Sequence, residues 1–378
     1  MNSSNRILLI SPNLEPHKCG VSDYTNLLNK YLQQSNCKTF TLAVNDNFCK
    51  EIIHESNLVR INKNQKISTK KNIIEQVNNK FQPNLIILNY VSYGFHKYGV
   101  PFYLIKLLKD QFKAIPFIVI FHELWPGNLP IDTFKNKLIG QLHQLFTKYL
   151  IKKIQPKNII VNSEIWQRLL TQKNINSTVI PVFSNIELAP LDLNVDQFVA
   201  SLNISKDSTE IINVAVFGSS GFVYDSVEVI NYFQKQSELF KKSFYFICIG
   251  KFQSVFTIFQ KLHEINPNKF SCQFTGVLSE AHVSYLFQSV HLGLTTYMPQ
   301  FWGKSGGIAA MMAHGLNILS VSNTISNKTL TANIQLPNNI FSFPACILNC
   351  INDEHKIIDE YNKKLFNIFF TSIHSSLH

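Results

Sequence analysis

The sequence predicts an α/β chain made of two doubly wound, parallel-sheet domains in tandem. Three observations carry this. Short, wholly apolar runs alternate with amphipathic helical stretches from residue 7 to 181. The alternation stops across residues 188–210, and it then restarts at 211 and runs to 321. Strands that read as continuous apolar runs belong to a sheet covered on both faces, and helices between them supply the crossovers that parallel pairing needs. A chain of 378 residues is long enough for two such domains.

In the first half, strands are expected at 7–11, 39–44, 85–88, 116–121, 158–162 and 178–181. Helices are expected at 21–32, 73–81, 101–110, 133–154 and 164–171. Residues 21–32 place Val21, Tyr24, Leu27, Leu28, Tyr31 and Leu32 on one helical face. The long helix 133–154 carries Phe134, Leu138, Leu142, Leu145, Phe146 and Tyr149, an apolar face expected to pack on its sheet. Its lysines, 135, 137, 148, 152 and 153, would then remain at the edge. Leu188-Ala189-Pro190 and Ser205-Lys206-Asp207-Ser208 read as linker. In the second half, strands are expected at 211–217, 244–249, 270–274, 291–295 and 317–321, with helices at 223–233, 255–264, 279–288 and 306–314. The expected organisation is a first domain over 1–187, a linker over 188–210, a second domain over 211–350 and closing helices over 351–378.

No apolar run approaches the roughly 20 residues that span a bilayer. The opening run, 7–10, is too short for a signal h-region, so a cytoplasmic chain is expected. Seven scattered cysteines without CxxC spacing point to reduced thiols rather than a disulfide framework or a zinc site. The net charge of +11 is uneven: residues 1–190 hold 23 Lys and Arg against 11 Asp and Glu, and the remainder 12 against 13. An anionic partner for the first half, or simple solubility, would explain that excess. Nucleic acid is not expected, because no recognised binding motif is present.

Open parallel sheets bind ligands beyond the carboxyl ends of their strands, so the chemistry is sought in the loops there. After the first strand, Gly20 lets a ligand approach the backbone of a helix start that holds Asp23 and Tyr24. Asp23 would equally complement the helix dipole. The strand 116–121 runs into His122-Glu123, well placed for hydroxyl recognition or proton transfer. Asn89, Tyr90, Tyr93 and His96 follow the strand 85–88, and polar aromatics there suit a sugar face or a packed loop. In the second half, Gly218-Ser219-Ser220-Gly221 ends a strand in a phosphate-facing turn. Lys251 and Gly276 follow the next two strands. The sharpest element is Trp302-Gly303-Lys304-Ser305-Gly306-Gly307, which opens a helix of small residues with a cation and exposed N–H groups. That suits a diphosphate, although Ser305 would also serve as an ordinary N-cap.

The order and spacing of these motifs resemble family 4-like GT-B glycosyltransferases. The run Lys18 to Thr25 looks like their glycine loop and first helix, and His122-Glu123 like their strand end. Phe274-Thr275-Gly276-Val277-Leu278-Ser279 and Lys304 through Gly315 look like their donor-binding half. The resemblance implies the GT-B fold and transfer of a sugar from a nucleotide-sugar donor, with retention, in polysaccharide or glycolipid biosynthesis. It implies His122 and Glu123 as catalytic or positioning groups. It implies donor binding by Gly218, Ser219, Lys251, Gly276, Lys304, Ser305 and Gly306, and acceptor binding by Gly20, Asp23, Tyr24, Tyr93 and His96. Neither a metal nor a cofactor is expected, because the nucleotide sugar is itself a substrate. The acceptor would be a glycan or a lipid-linked molecule met through the basic first domain at the inner face of the membrane. The chain departs from the pattern where Trp302 and Ala310 stand in place of a pair of Glu. A catalytically silent binding subunit of the same fold is the alternative this leaves.

Overall fold

The computed structural model describes residues 5–14, 19–127, 132–190, 193–202, 204, 209–218, 225–251, 254–322, 336–342, 347 and 361–377. The chain forms two compact units, Met1–Ile180 with Leu365–His378, and Pro181–Lys364.

In chain order the first unit has β1 (Arg6–Ser11), α1 (Gly20–Gln34), β2 (Lys38–Asp46), β3 (Ile53–His54), β4 (Leu58–Asn62), α2 (Ile67–Phe81) and β5 (Leu85–Tyr90). It continues with α3 (Ser92–Phe95), α4 (Phe102–Gln111), β6 (Phe117–Phe121), α5 (Phe134–Ile154), β7 (Asn158–Val161), α6 (Glu164–Thr171) and β8 (Thr178–Val179). The sheet order is β3-β4-β2-β1-β5-β6-β7-β8, parallel except where β3 meets β4. Residues 7–10, 85–88 and 118–121 are fully buried, as two-sided covering requires. The strands β3 and β4 were not expected, because a two-residue edge strand and a neighbour interrupted by Arg60 lack an apolar run to announce them.

The second unit has α7 (Leu193–Ser201), β9 (Ile211–Val216), α8 (Ser226–Phe240), β10 (Ser243–Ile249), α9 (Phe256–Ile265), β11 (Phe270–Gly276) and α10 (Glu280–Ser289). Then come β12 (Leu292–Thr295), a 3₁₀ turn (Pro299–Lys304), α11 (Gly306–Ala313), β13 (Ile318–Ser320) and β14 (Ile340–Ser342). The sheet order is β11-β10-β9-β12-β13-β14, with every pair parallel. The helix α7 falls in the stretch read as linker. Aromatic rings fill the core on one side: Phe246 stacks on Phe259 at 4.3 Å and meets Phe233 edge-on at 5.0 Å. The final helix, α12 (Tyr361–Leu377), buries Phe369 and Ile373 and stacks Phe366 on Tyr31 at 5.4 Å within the first unit. Cys346, Cys350 and residues 348–360 lie outside the described residues. The remaining five cysteines are free thiols, as expected.

One expectation fails. The apolar residues Phe134, Leu138, Leu142, Leu145 and Tyr149 of α5 are exposed, Phe134 at 82% and Leu145 at 66%, and only Phe146 of that set is buried. The helix packs through Gly140, His143, Phe146, Thr147 and Leu150 instead. Two close approaches select that face. A Cβ at Gly140 would stand 2.0 Å from the Pro126 carbonyl oxygen, and one at Gly99 would meet the His143 ring at 2.1 Å. Small residues, and not the widest apolar stripe, set which side of α5 comes closest to the domain.

The edge of the first sheet is held by a buried ion pair. Arg60 Nε donates to Asp46 Oδ2 at 2.8 Å, and its guanidinium also donates to the Leu14 carbonyl at 3.2 Å. Asp46 accepts from the Phe48 and Leu14 backbone as well, at 2.8 and 3.3 Å. Removing one partner leaves an uncompensated buried charge, which costs about 3–5 kcal/mol. Asp46→Ala should therefore lower the unfolding free energy of the first unit, read from urea denaturation, by an amount in that range, while Asp46→Ala with Arg60→Met should recover much of the loss.

Candidate functional site

In the first unit the sheet order reverses between β1 and β5, which makes the carboxyl ends of β1, β5 and β6 the candidate binding edge. Three of the side chains found there touch. His122, one residue beyond β6, is buried; its Nε2 lies 3.0 Å from Asn89 Oδ1, and its backbone N–H donates to the Tyr90 carbonyl. The Tyr24 ring meets the imidazole edge-on at 4.7 Å. Burial raises the Tyr24 phenol pKa well above its usual value, so it is neutral throughout the working range. In this arrangement Asn89 Oδ1 accepts, and His122 Nε2 carries the hydrogen. Among the described residues, buried Asn89 Nδ2, Tyr90 OH, Ser22 Oγ and Ser92 Oγ have no hydrogen-bond partner. Buried polar groups left unmet cost about 1–3 kcal/mol each, and a ligand at this edge would meet these four.

The other residues of this half stand apart from that trio. Gly20 opens α1, with Cys19 as its N-cap: Ser22 N donates to Cys19 Sγ at 3.4 Å. Asp23 sits in the first turn of α1, and Glu123 is half-buried beside His122. Tyr93 is exposed and packs on the His143 ring at 5.2 Å. His96 Nδ1 accepts from Val100 N at 3.4 Å, and its ring meets Tyr98.

In the second unit the order reverses between β9 and β12. Three strand ends turn through glycines with positive φ: Gly218 at +102°, Gly250 at +112° and Gly276 at +69°. A Cβ at any of them would meet nothing within 4 Å, so the backbone conformation, and not crowding, calls for glycine. Lys251 follows Gly250 and is exposed; Ser219 lies outside the described residues. Lys304 ends the 3₁₀ turn. Ser305 does act as an N-cap, its Oγ accepting from Ile308 N at 3.2 Å. That cap leaves the Gly306 and Gly307 N–H groups in the part of the first turn that has no intrahelical acceptor.

The sequence reading did not foresee how α11 is seated. A Cβ on Gly307 would stand 3.3 Å from Gly218 Cα and 3.5 Å from the Phe217 ring. The first turn of α11 thus lies against the turn that ends β9, at the reversal point of the sheet. His314 pins the other end, with Nδ1 2.7 Å from the Ala310 carbonyl and Nε2 2.8 Å from Ser284 Oγ. Ala310 is fully buried in this packing. Among the described residues, no group of three His, Cys, Asp or Glu could hold a metal ion, and no helix is long and apolar enough to cross a membrane.

No family model matches the sequence, and no curated protein matches it either. Solved structures do match. The UDP-GlcNAc 2-epimerase of Methanocaldococcus jannaschii is similar at a TM-score of 0.56 and 10% identity, over 97% of this chain and 99% of that one. HepE of Anabaena, solved with UDP and glucose, is similar at 0.52 and 13% identity, over 98% of each chain. At these identities the likeness speaks to architecture, and it agrees with the two sheets described above: the chain has the GT-B fold.

Proposed function

We propose that the chain is a glycosyltransferase of a divergent family 4-like branch, moving a sugar from a nucleotide-sugar donor to a glycan or lipid-linked acceptor with retention. The observation that carries this reading is the seating of α11. Its first turn closes on Gly218 at the reversal point of the second sheet, directly after Lys304. Orphan N–H groups, the helix dipole and an ammonium there suit a diphosphate. The fold likeness to HepE, which was solved with UDP and glucose, supports the same class of donor.

In this mechanism the leaving diphosphate takes its stabilisation from the α11 start and Lys304, with Lys251 as a further cation. Gly276 leaves room for the base. The acceptor hydroxyl attacks from the face that the diphosphate leaves and passes its proton to the departing phosphate. His122 Nε2–H orients the Asn89 amide, whose unmet Nδ2 hydrogens are donated to sugar hydroxyls, and Glu123, Asp23 and Tyr24 position the acceptor. No metal is invoked, because the helix start and the lysines carry the neutralising charge.

The exposed stripe of α5 supplies a membrane contact. Phe134, Leu138, Leu142, Leu145 and Tyr149 recur at a spacing of three or four residues, and exposed Phe102 extends them beside Tyr149. The helix holds Lys135, Lys137, Lys148, Lys152 and Lys153 and no acidic residue. Each lysine near an anionic surface contributes about 1 kcal/mol, and each inserted apolar side chain about 1.5–3 kcal/mol. Peripheral attachment at the cytoplasmic leaflet follows.

A second reading, sugar-nucleotide epimerisation, draws on the likeness to the M. jannaschii epimerase. Incubation of UDP-GlcNAc with the chain and no acceptor separates the two: a C2 epimer marks an epimerase. Neither turnover nor donor hydrolysis with any of UDP-, GDP-, ADP- or dTDP-sugars would favour the silent binding subunit. For the transferase, Lys304→Ala should weaken nucleotide-sugar binding by about 1.5–3 kcal/mol in calorimetry, the range for a hydrogen bond to a charged group. An unchanged affinity would remove the donor assignment. His122→Ala should lower turnover several-fold to about tenfold, the scale of a lost neutral hydrogen bond, with the circular dichroism spectrum retained; normal turnover would return His122 to a packing role. Vesicles containing anionic lipid should sediment the protein at low salt, and Leu142→Glu with Leu145→Glu should abolish this. Indifference to lipid charge and to these substitutions would leave a soluble acceptor.

A further inference from the structure

A cavity of about 280 Å³ opens within the first unit at the carboxyl ends of β2 and β4. Its lining includes Asn45, Lys63, Lys70, His96, Lys97 and Tyr103. Water occupies about 30 Å³ per molecule, so the space holds a group of many atoms. Lys70 is the unusual member. It is 3% exposed, and its ammonium makes one hydrogen bond, to Asn45 Oδ1 at 3.2 Å, and lies 5.4 Å from the Tyr103 ring centre. An ammonium has three hydrogens to donate, and a buried charge is costly without a counter-ion. Among the described residues no carboxylate pairs with Lys63, Lys70 or Lys97, and the nearby Asp46 is committed to Arg60. Burial draws the Lys70 pKa down to about 8, the response of an ammonium whose surroundings do not balance its charge.

The surroundings share the same sign. Lys63 and Lys97 are exposed on the lining. The helix α2 begins here with no side chain capping it and no acid in its first turn, so its positive dipole end is unopposed. With Val100 N donating to His96 Nδ1, a neutral His96 carries its hydrogen on Nε2 and has a donor to offer. Tyr103 OH is taken by the Phe95 carbonyl at 2.8 Å, so the ring serves as a wall. The segment 96–103 that lines this cavity also carries Phe102, which packs on Phe146 and Tyr149 of α5.

We propose that this cavity binds a phosphoryl group of the acceptor, with Lys70 at its base and Lys63 and Lys97 at its rim. The assignment to an acceptor rests on the transferase reading; the affinity for phosphate does not. The shared chemistry is a phosphate ester, carried either on a membrane lipid or on a free sugar phosphate. The full chain is titrated with inorganic pyrophosphate, and separately with UDP, GDP, ADP and dTDP, by calorimetry at low ionic strength. Saturable pyrophosphate binding is expected at a site that Lys304→Ala leaves intact, weakened about tenfold or more in Lys70→Met, the scale of one lost charge-assisted hydrogen bond, with UDP affinity unchanged. Should Lys70→Met fail to fold, Lys63→Gln with Lys97→Gln, both exposed positions, should weaken pyrophosphate several-fold. Wild type that does not bind pyrophosphate, or variants that bind it as wild type does, would overturn the proposal. Pyrophosphate binding without binding of UDP, GDP, ADP or dTDP would leave the pocket standing and remove the transferase reading. Competition by glucose 1-phosphate or by vesicles bearing a polyprenyl phosphate then identifies the source of the group.

Discussion

Parallel pairing of fully buried strands is the constraint from which the rest of the molecule follows. Over residues 7–10, 85–88 and 118–121 the strands β1, β5 and β6 are apolar on both faces, and a parallel neighbour can be reached only by a crossover. Every crossover starts at the same edge of the sheet. The first polar residues therefore stand at or just past the carboxyl end of each strand, and they are gathered at one place. His122 follows β6, Asn89 is the penultimate residue of β5, and Tyr24 stands on the helix after β1. The same rule in the second unit gathers Gly218, Gly250 and Gly276.

Both edges are built at some expense to stability. In the first unit, buried Asn89, Tyr90, Ser22 and Ser92 each leave a polar atom unmet, and Lys70 is buried without a counter-ion. In the second, three strand ends turn through glycines with positive φ, and α11 is built of small residues. Unmet polar groups at the ends of strands fit sites that ligands complete.

The helix α5 shows a different kind of competition. Its widest apolar stripe and its tightest packing face lie on different sides. Gly140 and the Gly99–His143 contact admit a closer approach than the leucine stripe would, and the stripe is left outward. Density of contact, rather than the number of apolar residues on a face, decides which side turns inward. The outward stripe is then a large apolar patch rimmed by lysines, a pattern associated with interaction surfaces.

The sequence by itself determined the two alternating halves, most strand positions and the loops in which chemistry would be found. Continuous apolar runs such as 85–88 and 118–121, and the glycines that follow strands, are local signals that survive without knowledge of the fold. It could not announce β3, β4 or α7, whose residues are half-polar and gain their order from neighbours distant in the chain. Nor could it tell that Asn89 and His122, 33 residues apart, would hydrogen-bond, while Tyr93 and His96 would find other ring partners. The burial of Lys70, the outward face of α5 and the approach of Gly307 to Gly218 likewise belong to the tertiary structure alone. Each depends on which surfaces are pressed together when the helices close on their sheets, and that choice is made by shape and distance in three dimensions rather than by the periodicity of any one segment.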